Sequence, residues 1–388
     1  MKKLFRTLLL AAVALPIVFA SCEKDKNADE TTDAIRVAAA VDACSELEAY
    51  FKQVSTLISD ESPSDDQCKT ILAGYVDDVV IPTYKSLAEA ALDMRTANEA
   101  LKTDATTANI GKAADAWMTA RIFWEKSEAF LFGPVGEDAF DIDAHIDSWP
   151  LERGEIDNVL NNDASGLTGE SAWELDAEVI GFHTTEYLLF RDGHARPSLT
   201  GAEVKYLTAA TDALIWDCAL AYVAWAGENN VSTAIKSAFE ANSAVVNAFN
   251  DNATYQDFGN KMKNATGKYN GNFAAALAEI SDGAADIAGE VGETKIASPY
   301  ETKKVEEVES WYSWHSLDDY QNNIISIKNA YYGGLDLNAP KTNSLSAYVA
   351  SKNAQLDSNI KAKITDCINK IAAIGEGGKS FYEVVRDK

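Results

Sequence analysis

The sequence predicts an all-α protein built as two antiparallel helical bundles packed side by side. Alanine-rich segments with apolar residues at three- and four-residue intervals recur along the chain. Alternating runs of the kind that make strands are nearly absent. With 388 residues, 47% of them hydrophobic and 10% aromatic, the chain can bury sizeable cores, and its length points to two domains.

In chain order, the periodicity predicts helices near 33–60, 66–100, 107–131, 173–190, 202–227, 231–250, 254–288, 302–329 and 343–372. Glycine and proline punctuate them, at Gly133-Pro134, Trp149-Pro150, Gly193 with Pro197, Gly289 to Gly292, and Gly333-Gly334. Short links between long amphipathic helices imply antiparallel packing within each half. The stretch 133–171 has the weakest helical period and holds Glu137, Asp138, Asp141 and Asp143. Its Phe140, Ile142, Ile146 and Trp149 make it an ordered loop folded over something. Residues 191–200 are the candidate linker between an N-terminal bundle, 34–195, and a C-terminal bundle, 196–388.

The start of the chain reads differently. Lys2, Lys3 and Arg6 precede an apolar run from Leu8 to Ala20, so residues 1–21 are expected to be a signal peptide. Ala20-Ser21-Cys22 resembles a bacterial lipobox, which implies acylation of Cys22, a membrane anchor and a cell-envelope location. The polar residues 22–33 are expected to be a flexible tether. Without those three basic residues, 31 Lys and Arg face 60 Asp and Glu, a formal −29. Such a surface repels phosphate backbones, which argues against nucleic acid as a partner. Cys44, Cys68, Cys218 and Cys367 admit disulfides, with Cys44–Cys68 the most local closure, or four buried thiols. No Cys-x-x-Cys occurs, so a zinc ribbon is not expected.

The chemistry concentrates at Gly181-Phe182-His183-Thr184-Thr185-Glu186, inside an apolar helical segment. Residues three apart share a helix face, so His183 and Glu186 can offer a nitrogen and an oxygen to one divalent metal, or pair with each other in a buried seam. The zinc peptidase helix carries His-Glu-x-x-His, and the second histidine is missing here. The chain has four histidines; beside His183, His315 has Asp318 and Asp319 at the next turn, and His145 and His194 fall in expected loops. Arg121, Trp124 and Glu128 recur at helical spacing, an unusual charged pair beside tryptophans.

Three blocks resemble the imelysin-like family, also filed as peptidase M75 and related to iron-regulated bacterial surface proteins. They are Trp117 to Pro134 with Asp147-Ser148-Trp149-Pro150, the Gly181 to Phe190 helix, and Ser313-Trp314-His315 with Asp319-Tyr320, Asn323 and Gly333; Ser326 stands where many members carry glycine. The resemblance implies iron, or an iron-bearing compound for uptake, as the ligand, and other envelope uptake proteins as partners. The candidate site is a ligand cleft between the bundles, gathering Arg121, Trp124, Glu128, Asp147, Ser148, Trp149, Gly181, His183, Glu186, His315 and Asp319. His183 and Glu186 are its expected metal ligands, for iron or zinc. A metal-dependent peptidase with Glu186 as its base is the alternative, but a hydrolytic zinc needs three ligands and a spare base, so a binder is expected rather than an enzyme. A further alternative is a surface protein that stacks polysaccharide on its tryptophans.

Overall fold

The structure, a computed structural model, describes residues 26–388 apart from 138, 164 and 165. The chain runs through α1 (Lys26–Glu61), α2 (Asp65–Tyr75), α3 (Ile81–Leu101), α4 (Thr107–Glu125), α5 (Ile142–Asp147), α6 (Arg153–Asn158), α7 (Gly169–Trp173) and α8 (Gly181–Leu189). After the short strands β1 (Phe190–Arg191) and β2 (His194–Ala195) come α9 (Gly201–Ala226), α10 (Thr233–Phe239), α11 (Ser243–Asp251), α12 (Phe258–Lys263) and α13 (Phe273–Glu290). The last helices are α14 (Ser298–Thr302), α15 (Ser316–Tyr332), α16 (Leu345–Lys352), α17 (Ala354–Ile374) and α18 (Phe381–Arg386).

The all-α expectation holds. Local chemistry sets the boundaries: Thr106, Thr200 and Ser380 each accept a hydrogen bond from the third backbone N–H of the helix they start, filling one of its orphan donors. Three helices continue into π-helical turns: Val76–Val80 between α2 and α3, Val159–Asp163 after α6, and Val291–Ala297 between α13 and α14. Helix α9 is buried on nearly every side; it is long and apolar enough to cross a bilayer, yet 94% of its most apolar window lies inside the protein.

Helix packing crosses the expected 195/196 boundary. Helix α9 packs on α3, which also packs on α4, whereas α1 packs on α13 and α17. Helix α15 touches both groups, through α4 on one side and α13 and α17 on the other.

Several expectations are corrected. Residues 26–33 are helical, as the opening of α1, so the tether expected over 22–33 does not extend through them; Cys22 lies outside the described residues. The helix expected over 302–329 begins only at Ser316, because Lys303, Ser310 and Trp314 take left-handed backbone that no α-helix accommodates. The helices expected over 173–190, 231–250 and 254–288 are each broken into shorter pieces, the last by the left-handed Asp257, Ala265 and Asn270. The candidate linker contains the only strand pair among the described residues. Cys44, Cys68, Cys218 and Cys367 are all buried free thiols, so the Cys44–Cys68 closure is not made.

Candidate functional site

The site forms where α4, α5 and α8 meet the irregular segment before α15. Gly181 makes this meeting possible: its φ is +74°, and a Cβ there would lie 2.3 Å from the Ile146 carbonyl oxygen. Any side chain would therefore push α8 off the end of α5, and with it His183 away from Asp147. From α4, Trp117 locks the same helix by donating Nε1 to the Phe182 carbonyl, 3.0 Å away.

Arg121, only 1% exposed, stands at the centre. Its guanidinium binds Asp147, reaches Glu125 at 2.5 Å and Glu309 at 2.7 Å, and lies 3.4 Å from Asp319. Asp147 also accepts from Trp124 Nε1 at 2.6 Å, and Asp319 from Ser310 Oγ at 2.5 Å. Lys295, carried by the π-helical turn Val291–Ala297, is a second buried cation, 3.2 Å from Glu309, 3.6 Å from Glu128 and 3.7 Å from Glu290.

His183 and Glu186 are completely buried. Nδ1 of His183 lies 3.2 Å from Glu186 Oε2, while Glu186 Oε1 accepts from the Ser313 backbone N–H at 2.8 Å and from Ser313 Oγ at 2.7 Å. The other imidazole nitrogen is in a different position. Nε2 sits 3.0 Å from Asp147 Oδ1 and 3.7 Å from Glu309 Oε1, but it is aligned for a hydrogen bond with neither. Trp149 closes over the imidazole with ring centroids 4.8 Å apart, and its own Nε1 has no partner.

Six buried carboxylates, at Glu125, Glu128, Asp147, Glu186, Glu309 and Asp319, thus share two fixed cations, Arg121 and Lys295. Burial pushes the carboxyls of Glu125 and Glu128 well above the usual range, and Asp319 to about 6, because there is too little positive charge to hold all of them ionised. Asp147 and Glu309 behave oppositely. Burial would raise them too, but Arg121 and His183 for Asp147, and Lys295, His183 and Arg121 for Glu309, hold them below the usual range. His183 is held well above its ordinary value: burial and Arg121 oppose its charge, and the Asp147 and Glu186 carboxylates outweigh them.

Asp147 and Glu309 open onto a cavity of about 320 Å³, walled also by Ser148, Trp149, Asp143 and Lys295. A second cavity of about 390 Å³ adjoins it through Glu128, Asp143 and Glu290. Burial, above all, with Asp147 beside it, raises the Asp143 carboxyl to about 7.

Of the residues expected from sequence, Arg121, Trp124, Asp147, Trp149, Gly181, His183, Glu186 and Asp319 meet in this cluster, and Glu128 and Ser148 line the cavity beside it. His315 does not join them; its Nδ1 pairs with Asp318 at 3.1 Å. His145, expected in a loop, sits on α5 with Nδ1 2.5 Å from Asp217. Glu125, Lys295, Glu309 and Ser313 were not among the expected site residues. Glu125 had a signal, one helical turn after Arg121. Lys295 and Glu309 had none, since their role depends on which segments fold together.

The donor set suits a metal. His183, Asp147 and Glu309 offer one nitrogen and two oxygens, all within 4.8 Å of one another, and Asp147 belongs to a second such group with Glu125 and Glu128. Fold and site together define a helical protein with a buried histidine–carboxylate cluster beside an acidic cavity at a helix junction. The chain belongs to the Imelysin family (peptidase M75), whose profile matches residues 80–387. It is 29% identical over 265 residues to iron-regulated protein A of Synechococcus elongatus, covering 68% of this chain and 64% of that relative's length. Among solved structures it is similar to a putative iron-regulated protein A precursor from Parabacteroides distasonis, with 28% identity, a TM-score of 0.57, and coverage of 84% of this chain and 95% of the other.

Proposed function

We propose that this protein is a cell-envelope binding protein that holds iron, as the ion or in an iron-bearing compound for uptake, in the pocket over His183. The observation that carries the reading is the buried His183 Nε2, left without a hydrogen bond between Asp147 and Glu309 at the edge of an acidic cavity. An imidazole nitrogen buried among carboxylates and lacking an aligned partner is a strong attractor for a cation. The names of the relatives, iron-regulated in both cases, select iron among the cations.

A binder fits these residues better than a peptidase does. Hydrolysis needs a carboxylate free to take a proton from a metal-bound water. Both oxygens of Glu186 are engaged, one by His183 and one by Ser313. Attachment through an acylated Cys22 would keep the pocket at the membrane, where other envelope uptake proteins could receive the cargo.

The test is elemental analysis of protein purified from iron- and zinc-replete medium, followed by calorimetric titration of the stripped protein with Fe²⁺ and ferric citrate. Iron bound by wild type and lost in His183→Ala supports the reading. Chelator-sensitive cleavage of unfolded protein substrates that disappears in Glu186→Gln would replace it with the peptidase. Replacing Cys22 with serine should move the protein to the soluble fraction; a variant that stays membrane-bound and still takes up palmitate would sink the anchor.

A further inference from the structure

We propose that the metal ligands are His183 Nε2, Asp147 Oδ1 and Glu309 Oε1, and that Glu186 is not a ligand but the positioning residue that aims His183 at the metal. The inference rests on reading the pocket as a cation site and assigns the atoms that do the binding.

The two faces of the imidazole divide the work. Glu186 holds Nδ1, and Ser313 in turn holds Glu186 with a backbone and a side-chain hydrogen bond. A metal arriving at Nε2 displaces the proton there, and a carboxylate on Nδ1 then fixes the neutral tautomer whose lone pair points at the metal, the usual support of a metal-bound histidine. Nε2 is the buried atom without an aligned partner, 3.0 Å from Asp147 Oδ1 and 3.7 Å from Glu309 Oε1. Ligands about 2.0–2.2 Å from a metal lie roughly 3–3.5 Å from one another. The separation of Nε2 from Asp147 Oδ1, 3.0 Å, already meets this, and Glu309 Oε1 at 3.7 Å needs only a small side-chain shift.

Arg121 and Lys295 are the competitors. The Arg121 guanidinium touches both ligand oxygens, and Lys295 lies 3.2 Å from Glu309 Oε1. A carboxylate oxygen has two lone pairs, so Arg121 leaves one on Asp147 Oδ1 for a metal, whereas on Glu309 Oε1 Arg121 and Lys295 take both and a metal has to displace Lys295. Fully ionised, the six surrounding carboxyl groups carry more charge than Arg121, Lys295 and a divalent ion together. One nitrogen and two carboxylate oxygens suit a borderline cation such as Fe²⁺ or Zn²⁺. A His183–Glu186 chelate is worse: it would have to replace the contact between Nδ1 and Glu186 Oε2 and use the nitrogen that faces away from the cavity-lining Asp147 and Glu309.

The experiment uses the full chain, stripped of metal and titrated with Zn²⁺ and, without oxygen, with Fe²⁺. Asp147→Asn and Glu309→Gln are each expected to weaken binding at least about 100-fold. Glu186→Gln is expected to weaken it about 10- to 100-fold while X-ray absorption still reports one imidazole on the zinc. Melting curves check that each variant folds. Zinc-soaked crystals of the wild type decide the matter without any variant: anomalous scattering should place the ion within bonding distance of His183 Nε2, Asp147 and Glu309. An ion bonded to Glu186, or undiminished affinity in Glu309→Gln, overturns the assignment and leaves the cation-binding reading intact. Failure to bind either metal overturns both.

Discussion

His145 and His183 make a natural comparison, because each is an imidazole turned into the protein with a carboxylate on Nδ1. Around His145 every valence is closed. Nδ1 meets Asp217 at 2.5 Å, Nε2 lies 3.0 Å from the Trp173 carbonyl, and Trp173 Nε1 donates to the remaining Asp217 oxygen at 2.9 Å. The triangle ties α5 and α7 to α9 and leaves nothing for a visitor. Around His183 the same chemistry is left open at Nε2, beside carboxylates that outnumber their cations. A buried polar node that closes on itself serves the fold; one that does not is a place for something else.

Arg121 is where this contrast breaks hardest. Arg121→Met should cost about 3–5 kcal/mol in urea unfolding, because it leaves Glu125, Asp147, Glu309 and Asp319 buried without the cation they share. A loss below about 1 kcal/mol would mean that the carboxylates simply take up protons, and that the network is as self-sufficient as the one at His145.

The two histidines should then separate in opposite directions. His145→Gln is expected to lower stability by roughly 1–3 kcal/mol, by stranding Asp217, while metal affinity stays as in wild type. His183→Gln should weaken metal binding by about 100-fold or more with the smaller loss of stability of the two. Melting curves and zinc titrations of both variants read the difference; equal losses of stability with unchanged binding would reduce His183 to a second structural histidine.

The smallest effect is a control remote from both nodes, at the start of α9. Burial pushes the Glu203 carboxyl up, but the Thr200 N–H and the Arg196 guanidinium pull it further down, to below its ordinary value. Its folded value is lowered, so its stabilisation is present above the unfolded-state value of about 4.3 and is lost as pH falls through the folded value. Glu203→Gln should therefore cost about 0.5–1 kcal/mol at pH 7 and progressively less toward pH 3. A cost independent of pH would mean that the capping geometry, not the charge, supports the helix.

What could be read from sequence follows the range of the interaction. Helical periods are local, and α1 and α9 lie close to where spacing put them, whereas the helix expected over 343–372 is split at Asn353 into α16 and α17. Interruptions from left-handed residues that are not glycine, such as Ser310 and Trp314, leave no periodic trace, so spacing alone runs a helix through the segment before α15, where the structure instead has His315 pairing with Asp318. At the site, Gly181, His183 and Glu186 were legible because one short helix carries them. Asp147, Trp149 and Asp319 entered through the blocks that resemble the imelysin-like family. Glu309 and Lys295 were invisible, because a lone acid and a lone lysine acquire meaning only when α13, α15 and α4 are brought together.

The segments that supply His183, Asp147 and Glu309 lie far apart along the chain, so the unfolded polypeptide has no equivalent of the pocket. Any cation held there adds its binding free energy to folding, roughly 2.7 kcal/mol when its free concentration is a hundredfold above its dissociation constant. The melting temperature of this protein then becomes a gauge of cation supply, and in scarcity its chains would open more often to the proteases around them.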